Sequence, residues 1–394
     1  MHVLAYLIVP SLVSAAAIVR KDNPDNRAAY VLNVDPAGSS IVSLKVSVED
    51  GSLSSPVFTP TGGKGLIGLT AQTTGPSTVN TVDALFSQDA VVVSQDYLFA
   101  VNSGSNTLSM FFINKDDPQH PTLVGKPAST KGEFPQTVAY SPNLKTACVL
   151  NGGATAGITC FSTDHAKGLT PLGDLRPLSL NQTTPPSGPP GTASDLVFNP
   201  SQTALIATIK GNGVDPGFIY AYPVEKDGSI STRPVLSRPA ELNVNFAVSF
   251  IDDAHAIIVD PSFGSALVDV SSDLKFTVQY KLVVAGQKAI CWSVYAPRFG
   301  VVFAIDAGTG IITIVDPQTG GNKGAISLDA PNGGAFDSKI DRSYLYVLRG
   351  TSAVSVLNTN SVNQGKTPQE VQTFDLSKYV PRIGLQGMAI YPSS

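Results

Sequence analysis

Seven times along the chain a short apolar run climbs to one polar residue, and the seven tips are Asn33, Asn102, Asn151, Lys210, Asp260, Asp306 and Arg349. Typical runs are Tyr30-Val31-Leu32-Asn33, Ala147-Cys148-Val149-Leu150-Asn151 and Val302-Phe303-Ala304-Ile305-Asp306. Short runs rich in β-branched and aromatic residues, bounded by turn formers, read as buried strands. The six steps from Asn33 to Arg349 average about 53 residues. A period of that size in strand-rich sequence predicts an all-β, seven-bladed β-propeller with one four-stranded blade per repeat. The geometry matters for function, because repeated strand ends converge on one axis and seven polar side chains could ring one pocket.

Each repeat places a first strand and a turn ahead of its tip strand. Examples are Thr137-Val138-Ala139-Tyr140 before Ser141-Pro142-Asn143, and Leu196-Val197-Phe198 before Asn199-Pro200-Ser201. Pro, Asn and Ser in these gaps are turn formers, so the pair is a hairpin. The first repeat lacks its own first strand, while Leu385–Pro392 reads as a first strand with no blade after it. Joining the two closes the ring and removes an exposed strand edge. The predicted organisation is a signal segment over residues 1–17 and a single propeller domain over 18–394.

The first 17 residues read as a secretory signal, since Val3 to Val13 is almost uninterrupted apolar sequence followed by Ser14-Ala15-Ala16-Ala17. An N-terminal strand or a short membrane anchor is the alternative, but a run this short is not a bilayer span. The chain carries a net charge of −4 with no Lys/Arg cluster, which removes the electrostatic footprint of nucleic-acid binding. Only 14% of residues are charged against 42% hydrophobic, so much of the surface falls to Ser, Thr, Asn and Gly. The expected location is secreted, extracellular or cell-wall associated, and the expected state is a monomer without a membrane span.

Cys148 and Cys160 flank a glycine-rich turn between two apolar strands. If residues 150 and 158 face each other, so do 148 and 160, within disulfide reach; two buried thiols are the other reading. Cys291, inside Ala289-Ile290-Cys291-Trp292, reads as a buried inert thiol. Asn181-Gln182-Thr183 is a glycosylation sequon in a Pro-rich loop.

The runs Ser105–Phe111, Cys148–Gly153, Val259–Gly264 and Gly286–Trp292 resemble a group of secreted fungal proteins similar to the 6-phosphogluconolactonase and 3-carboxymuconate cyclase family of seven-bladed propellers. The resemblance implies lactone-ring opening or formation without a metal, by a His with Arg and Glu partners in a central pocket. Some secreted relatives of that group are instead cell-surface glycoproteins and adhesins. The sequence departs from the catalytic pattern, because the places of a His-Pro-His type motif read Phe134-Pro135-Gln136 and Gly191-Thr192-Ala193. His120, His165 and His255 read as solvated loop residues.

Two site readings follow. In the first, an anionic substrate such as a carboxylated, muconate-like lactone is held by Lys210, Lys288 and Arg349, since guanidinium grips a carboxylate bidentately. Glu133, Asp260 or Asp306 then transfers the proton, if burial lifts its pKa toward neutrality. Lys210 and Arg349 would also stabilise developing oxyanion charge. Asn33, Asn102, Asn151, Gln136, Asn245 and Gln386 complete the binding surface. In the second, Asn and Asp at strand ends cap turns and satisfy backbone donors, and the chain is a non-catalytic extracellular or cell-wall ligand binder. No cofactor is expected; a divalent cation on Asp260, Asp306, Asn102 and Asn151 is the lesser alternative. Nucleotide fingerprints, a Gly-x-Ser-x-Gly elbow and His/Cys zinc clusters are absent from the sequence.

Overall fold

The computed structural model describes residues 26–393 apart from 73, 81 and 330–332; the proposed signal over 1–17 lies outside the described residues. Among them, seven antiparallel sheets of four or five strands are joined by one small three-stranded sheet. The first strands of the seven sheets are Val91–Ser94, Pro135–Ser141, Ala193–Phe198, Val248–Phe250, Ile290–Ala296, Ala335–Asp341 and Leu385–Tyr391. Each packs against the first strand of the next sheet, or reaches it through a hydrogen bond such as Val248 N to Asp195 Oδ2 at 3.0 Å, and the series returns to its start. The architecture is a β-propeller.

Closure occurs where the termini meet. Arg27–Asn33 pairs with Leu385–Tyr391, with Ala28 opposite Tyr391 and Ala29 opposite Ile390. All seven residues of Leu385–Tyr391 are buried. Arg27 adds a two-pronged ion pair to Asp341 in the neighbouring sheet, its Nε donating to Oδ2 at 2.8 Å. At 1.5–3 kcal/mol for a fully buried large apolar side chain, Leu385, Met388 and Ile390 together contribute roughly 6 kcal/mol to closure.

The tip strands are apolar on both faces because every sheet is sandwiched between two others. Ile206 and Ile219 of one sheet meet Ile258 and Val268 of the next. Leu150 and Ile158 meet Leu205 and Tyr222 in the same manner. Cys148 pairs with Cys160 in the register expected from the turn, and the two form a disulfide. Cys291 is buried, and burial raises its thiol pKa well above the usual value.

Several first strands carry an irregularity at their beginning: the register shifts between Pro135 and Thr137, between Ala193 and Asp195, between Ile290 and Trp292, and between Ala335 and Ser338. An extra residue in one strand bends it and re-aims the side chains around it. Repeated around the ring, this device delivers Gln136 and Trp292 to the axis.

The connection from Pro60 to Val91 departs from a simple blade-to-blade link. Leu69–Thr70 and Thr78–Val79 pair with each other, and Leu69–Thr70 also pairs in parallel with Ser187–Gly188 of the Pro-rich loop. The chain then turns inward, with Phe86 and Asp89 at positive φ of 59° and 57°, conformations uncommon for residues other than glycine.

Candidate functional site

The inward segment Asp83–Asp89 fills the axis of the ring. Its carbonyls are gripped from all sides: Lys210 Nζ donates to Phe86 O at 2.6 Å, Trp292 Nε1 and Gln386 Nε2 each donate to Ser87 O at 3.1 Å, and Gln136 Nε2 donates to Leu85 O. Ser87 Oγ returns a bond to Gln136 O, and Ser293 N donates to Gln88 Oε1. Buried backbone polar groups must find partners, and here the ring's inward side chains supply them.

An arc of rings and cations encircles this segment. Lys210 Nζ stands 4.2 Å from the Phe246 ring centroid, and Phe246 to Trp292 and Trp292 to Phe336 are each 5.0 Å between centroids. The Arg382 guanidinium lies 4.6 Å over Phe336. Cations over ring faces gain most where water is excluded.

The acid of this arc is Asp83. Phe86 N donates to its Oδ1 at 2.9 Å and Gln386 Nε2 at 3.2 Å. Burial raises its pKa to about 6, while Lys210 and Arg382 pull it back. Burial lowers Lys210 to about 7, with Asp83 opposing, and lowers Arg382 to about 10. Arg382 donates to Arg349 O and Leu385 O at 2.6 Å each, yet its Nη2 is enclosed with no hydrogen-bond partner among the described residues. A carboxyl and an ammonium that titrate near neutrality beside an unpaired guanidinium donor suit proton transfer and anion stabilisation.

Further along the axis a second acidic group collects. Asp195 accepts from Val248 N, and burial followed by the Asp89 charge raises it to about 8. Asp337 is fully buried, both its oxygens lack a hydrogen-bond partner among the described residues, and burial raises its pKa well above the usual value. Lys339 Nζ donates to Asp89 Oδ1 at 2.8 Å.

The strand tips are each engaged in hydrogen bonds, and Lys210, Asp260 and Asp306 lie close enough to Cys291 for their charges to act on its thiol. Asp306 accepts from Lys288 N, Ala289 N and Gly308 N; Asp260 accepts from Val244 N, Ser262 N and Ser262 Oγ. Asn151 Nδ2 donates to Gly157 O, and Asn102 bonds Thr61, Thr107 and Ser109. Arg349 reaches Ser355 Oγ, Asp329 O and Gly333 O, with Glu370 Oε1 at 3.8 Å. Asn33 Nδ2 contacts Ser40 Oγ at 3.5 Å. None of these bonds joins one tip to another, and Lys210 alone among the tips bonds the axial segment. Capping explains most of these bonds: a strand end leaves backbone donors and acceptors that a short polar side chain meets nearby, while Asn102 also accepts from Thr61 at the end of the neighbouring sheet.

Of the residues expected in entry loops, Gln136 and Gln386 lie instead near the starts of first strands and reach the axis. Asn245 Nδ2 turns to Phe218 O, Glu133 accepts from Thr184 Oγ1, and the Lys288 side chain is exposed. Asn181 is exposed in its loop. His255 pairs with Asp252 at the far end of its strand from Asp260, and His165 packs edge-on against Phe112 in a turn. His120 is solvated but lies in the strand Asp117–Leu123 rather than in a loop. No group of three or more His, Cys, Asp or Glu side chains is placed to hold a metal among the described residues. Asp83, Arg382 and the donor role of Trp292 escaped the sequence reading. One signal pointed there: the step from Asn33 to Asn102 is the longest of the six, the mark of an insertion.

No family model matches the chain, and no curated protein matches it. Solved structures do. The periplasmic gluconolactonase of Pseudomonas aeruginosa superposes with a TM-score of 0.64 at 13% identity, over 92% of this chain and 99% of that one. A candidate 6-phosphogluconolactonase of Bacteroides uniformis gives 0.62 at 15%, over 92% and 99%. Another, from Bacteroides fragilis, gives 0.61 at 13%, over 93% and 99%. The chain shares the fold of these lactonase propellers. At such identities the likeness speaks for the fold, and the axial chemistry must be argued from this chain's own residues.

Proposed function

We propose that the protein is a secreted lactonase-like propeller that opens or forms the lactone ring of a small carboxylated molecule, of sugar-acid or muconate type, at the axial end around Asp83. The observation that carries this reading is the convergence of Asp83, Lys210, Arg382 and Gln386 on one buried axial segment. In the opening direction, water adds to the lactone carbonyl as Asp83 takes its proton. Arg382 offers its unpaired Nη2 to the oxyanion. The acyl carbon–oxygen bond then breaks, and the leaving alkoxide recovers the proton from Asp83. Lys210, its ammonium engaged by Phe86 O, Thr192 Oγ1 and Ala193 O, acts as a positioning residue that keeps Asp83 near neutrality. Export is supported by the N-terminal apolar run, by the Cys148–Cys160 disulfide and by the periplasmic location of one fold neighbour.

The test is turnover of a panel of sugar-acid lactones and muconolactones, comparing the wild type with Asp83→Asn and Arg382→Gln. The expected outcome is loss of at least about 100-fold in kcat for Asp83→Asn with cooperative unfolding retained. Undiminished turnover in both variants overturns the assignment. A second reading, an extracellular ligand-binding protein that keeps the scaffold without chemistry, is favoured by one observation: Leu85–Gln88 occupy the axis where a substrate would lie. Absence of turnover on every panel member selects it.

A further inference from the structure

A cavity of about 590 Å³ opens on the other face of the ring, where the first strands end. The register fixes that placement: Ile290 and Ala335, at the starts of two such strands, pair with the tips Asp306 and Arg349, whereas the cavity is bordered by Ala296 and Asp341 at their ends. The size suits a small organic ligand. Tyr295, Phe299, Ile340 and Pro392 give it apolar walls.

Three guanidinium groups and one carboxylate meet there. Arg27 holds Asp341 in a two-pronged pair, and both are buried, so that charge is matched. Arg342 and Arg298 remain. Arg342 Nη1 donates to Val48 O at 3.2 Å, and its Nε lies in ion-pair range of Asp341 Oδ2 at 3.6 Å, so one carboxylate is shared between two guanidinium groups. Arg298 lies 5.8 Å from the Phe299 ring centroid and pairs with no carboxylate among the described residues. Three cations against one carboxylate leave positive charge in surplus at the cavity, and planar guanidinium forks match a carboxylate.

We propose that this cavity binds a small organic anion: one carboxylate taken by Arg298 and Arg342, carried on an aromatic or branched apolar body that lies against Tyr295 and Phe299. The site is separate from the Asp83 end and does not depend on catalysis there.

Calorimetric titration of the full chain with phenylacetate and with its uncharged counterpart phenylacetamide tests it. Saturable one-site binding of the acid is expected, with the amide at least about tenfold weaker. Arg298→Gln, an exposed turn position, and Arg342→Gln are each expected to weaken the acid about tenfold or more, and Asp83→Asn to leave it unchanged. Equal affinity for acid and amide overturns the proposal. So does no detectable binding of phenylacetate, binding indifferent to both arginine substitutions, or binding lost in Asp83→Asn, which would put the anion at the opposite face.

Discussion

Lys210 Nζ donates a 2.6 Å hydrogen bond to the carbonyl of Phe86, a residue 124 positions earlier in the chain. The bond ties the end of one tip strand to the segment that fills the axis. The same ammonium also donates to Thr192 Oγ1 and Ala193 O and faces the Phe246 ring. A buried cation with this many partners organises its surroundings more than it attracts solvent.

Lys210→Met removes the donor from three enclosed acceptors. Stability is expected to fall by about 3 kcal/mol, read as a lower urea midpoint, and the Asp83 carboxyl to titrate above its present value of about 6. A loss below about 0.5 kcal/mol would show that the axial segment is held by its other bonds.

Asp195 sets a pH dependence. Its carboxyl releases a proton near pH 8 in the folded chain and near 4 when unfolded. Between those limits the folded state holds more protons, so this contribution to stability falls as pH rises from about 4 to about 8, by up to about 1.4 kcal/mol per pH unit. Lys210, lowered to about 7, acts with the opposite sign above that pH, where the unfolded chain holds more protons. Asp195→Asn should flatten the slope between pH 5 and 7 in urea titrations. An unchanged slope contradicts the assignment of that proton to Asp195.

Asp306→Ala strips three backbone N–H groups of their acceptor. It is expected to cost about 2–3 kcal/mol, whereas Lys288→Ala, an exposed side chain, should change stability by less than about 0.5 kcal/mol. Equal effects of the two substitutions on the unfolding midpoint would remove the capping account of the tips.

Deletion of residues 385–394 should abolish cooperative unfolding rather than trim a tail. The deleted strand fills the inner position of the sheet begun by Arg27–Asn33 and packs against two neighbouring sheets. A truncated chain that still melts in one sharp calorimetric transition would sink the closure argument.

Much of this fold was legible residue by residue. Runs such as Tyr30-Val31-Leu32 announce strands because burial on both faces demands unbroken apolar sequence, and the unpaired first strand at Leu385 announces closure because a sheet edge needs a partner. Cys148 facing Cys160 is one of two readings of the glycine-rich turn, and the strand register selects it. The candidate site was legible only in part. Gln136, Lys210 and Gln386 were identified from their positions next to strand ends, but Asp83 and Arg382 sit in irregular segments with no periodic pattern to mark them.

Local chemistry therefore accounts for the strands, the repeat and the capping of Asp260 and Asp306, because each depends on neighbours a few residues away or one hairpin across. Which polar groups meet on the axis was settled by packing in three dimensions. Asp83 is joined to Gln386 across 303 positions and Ser87 to Trp292 across 205, and no spacing rule spans such intervals. Protonation follows the same logic: a carboxyl near pH 6 or 8 reflects desolvation and charges brought close by the closed ring, quantities that a linear order of residues does not contain.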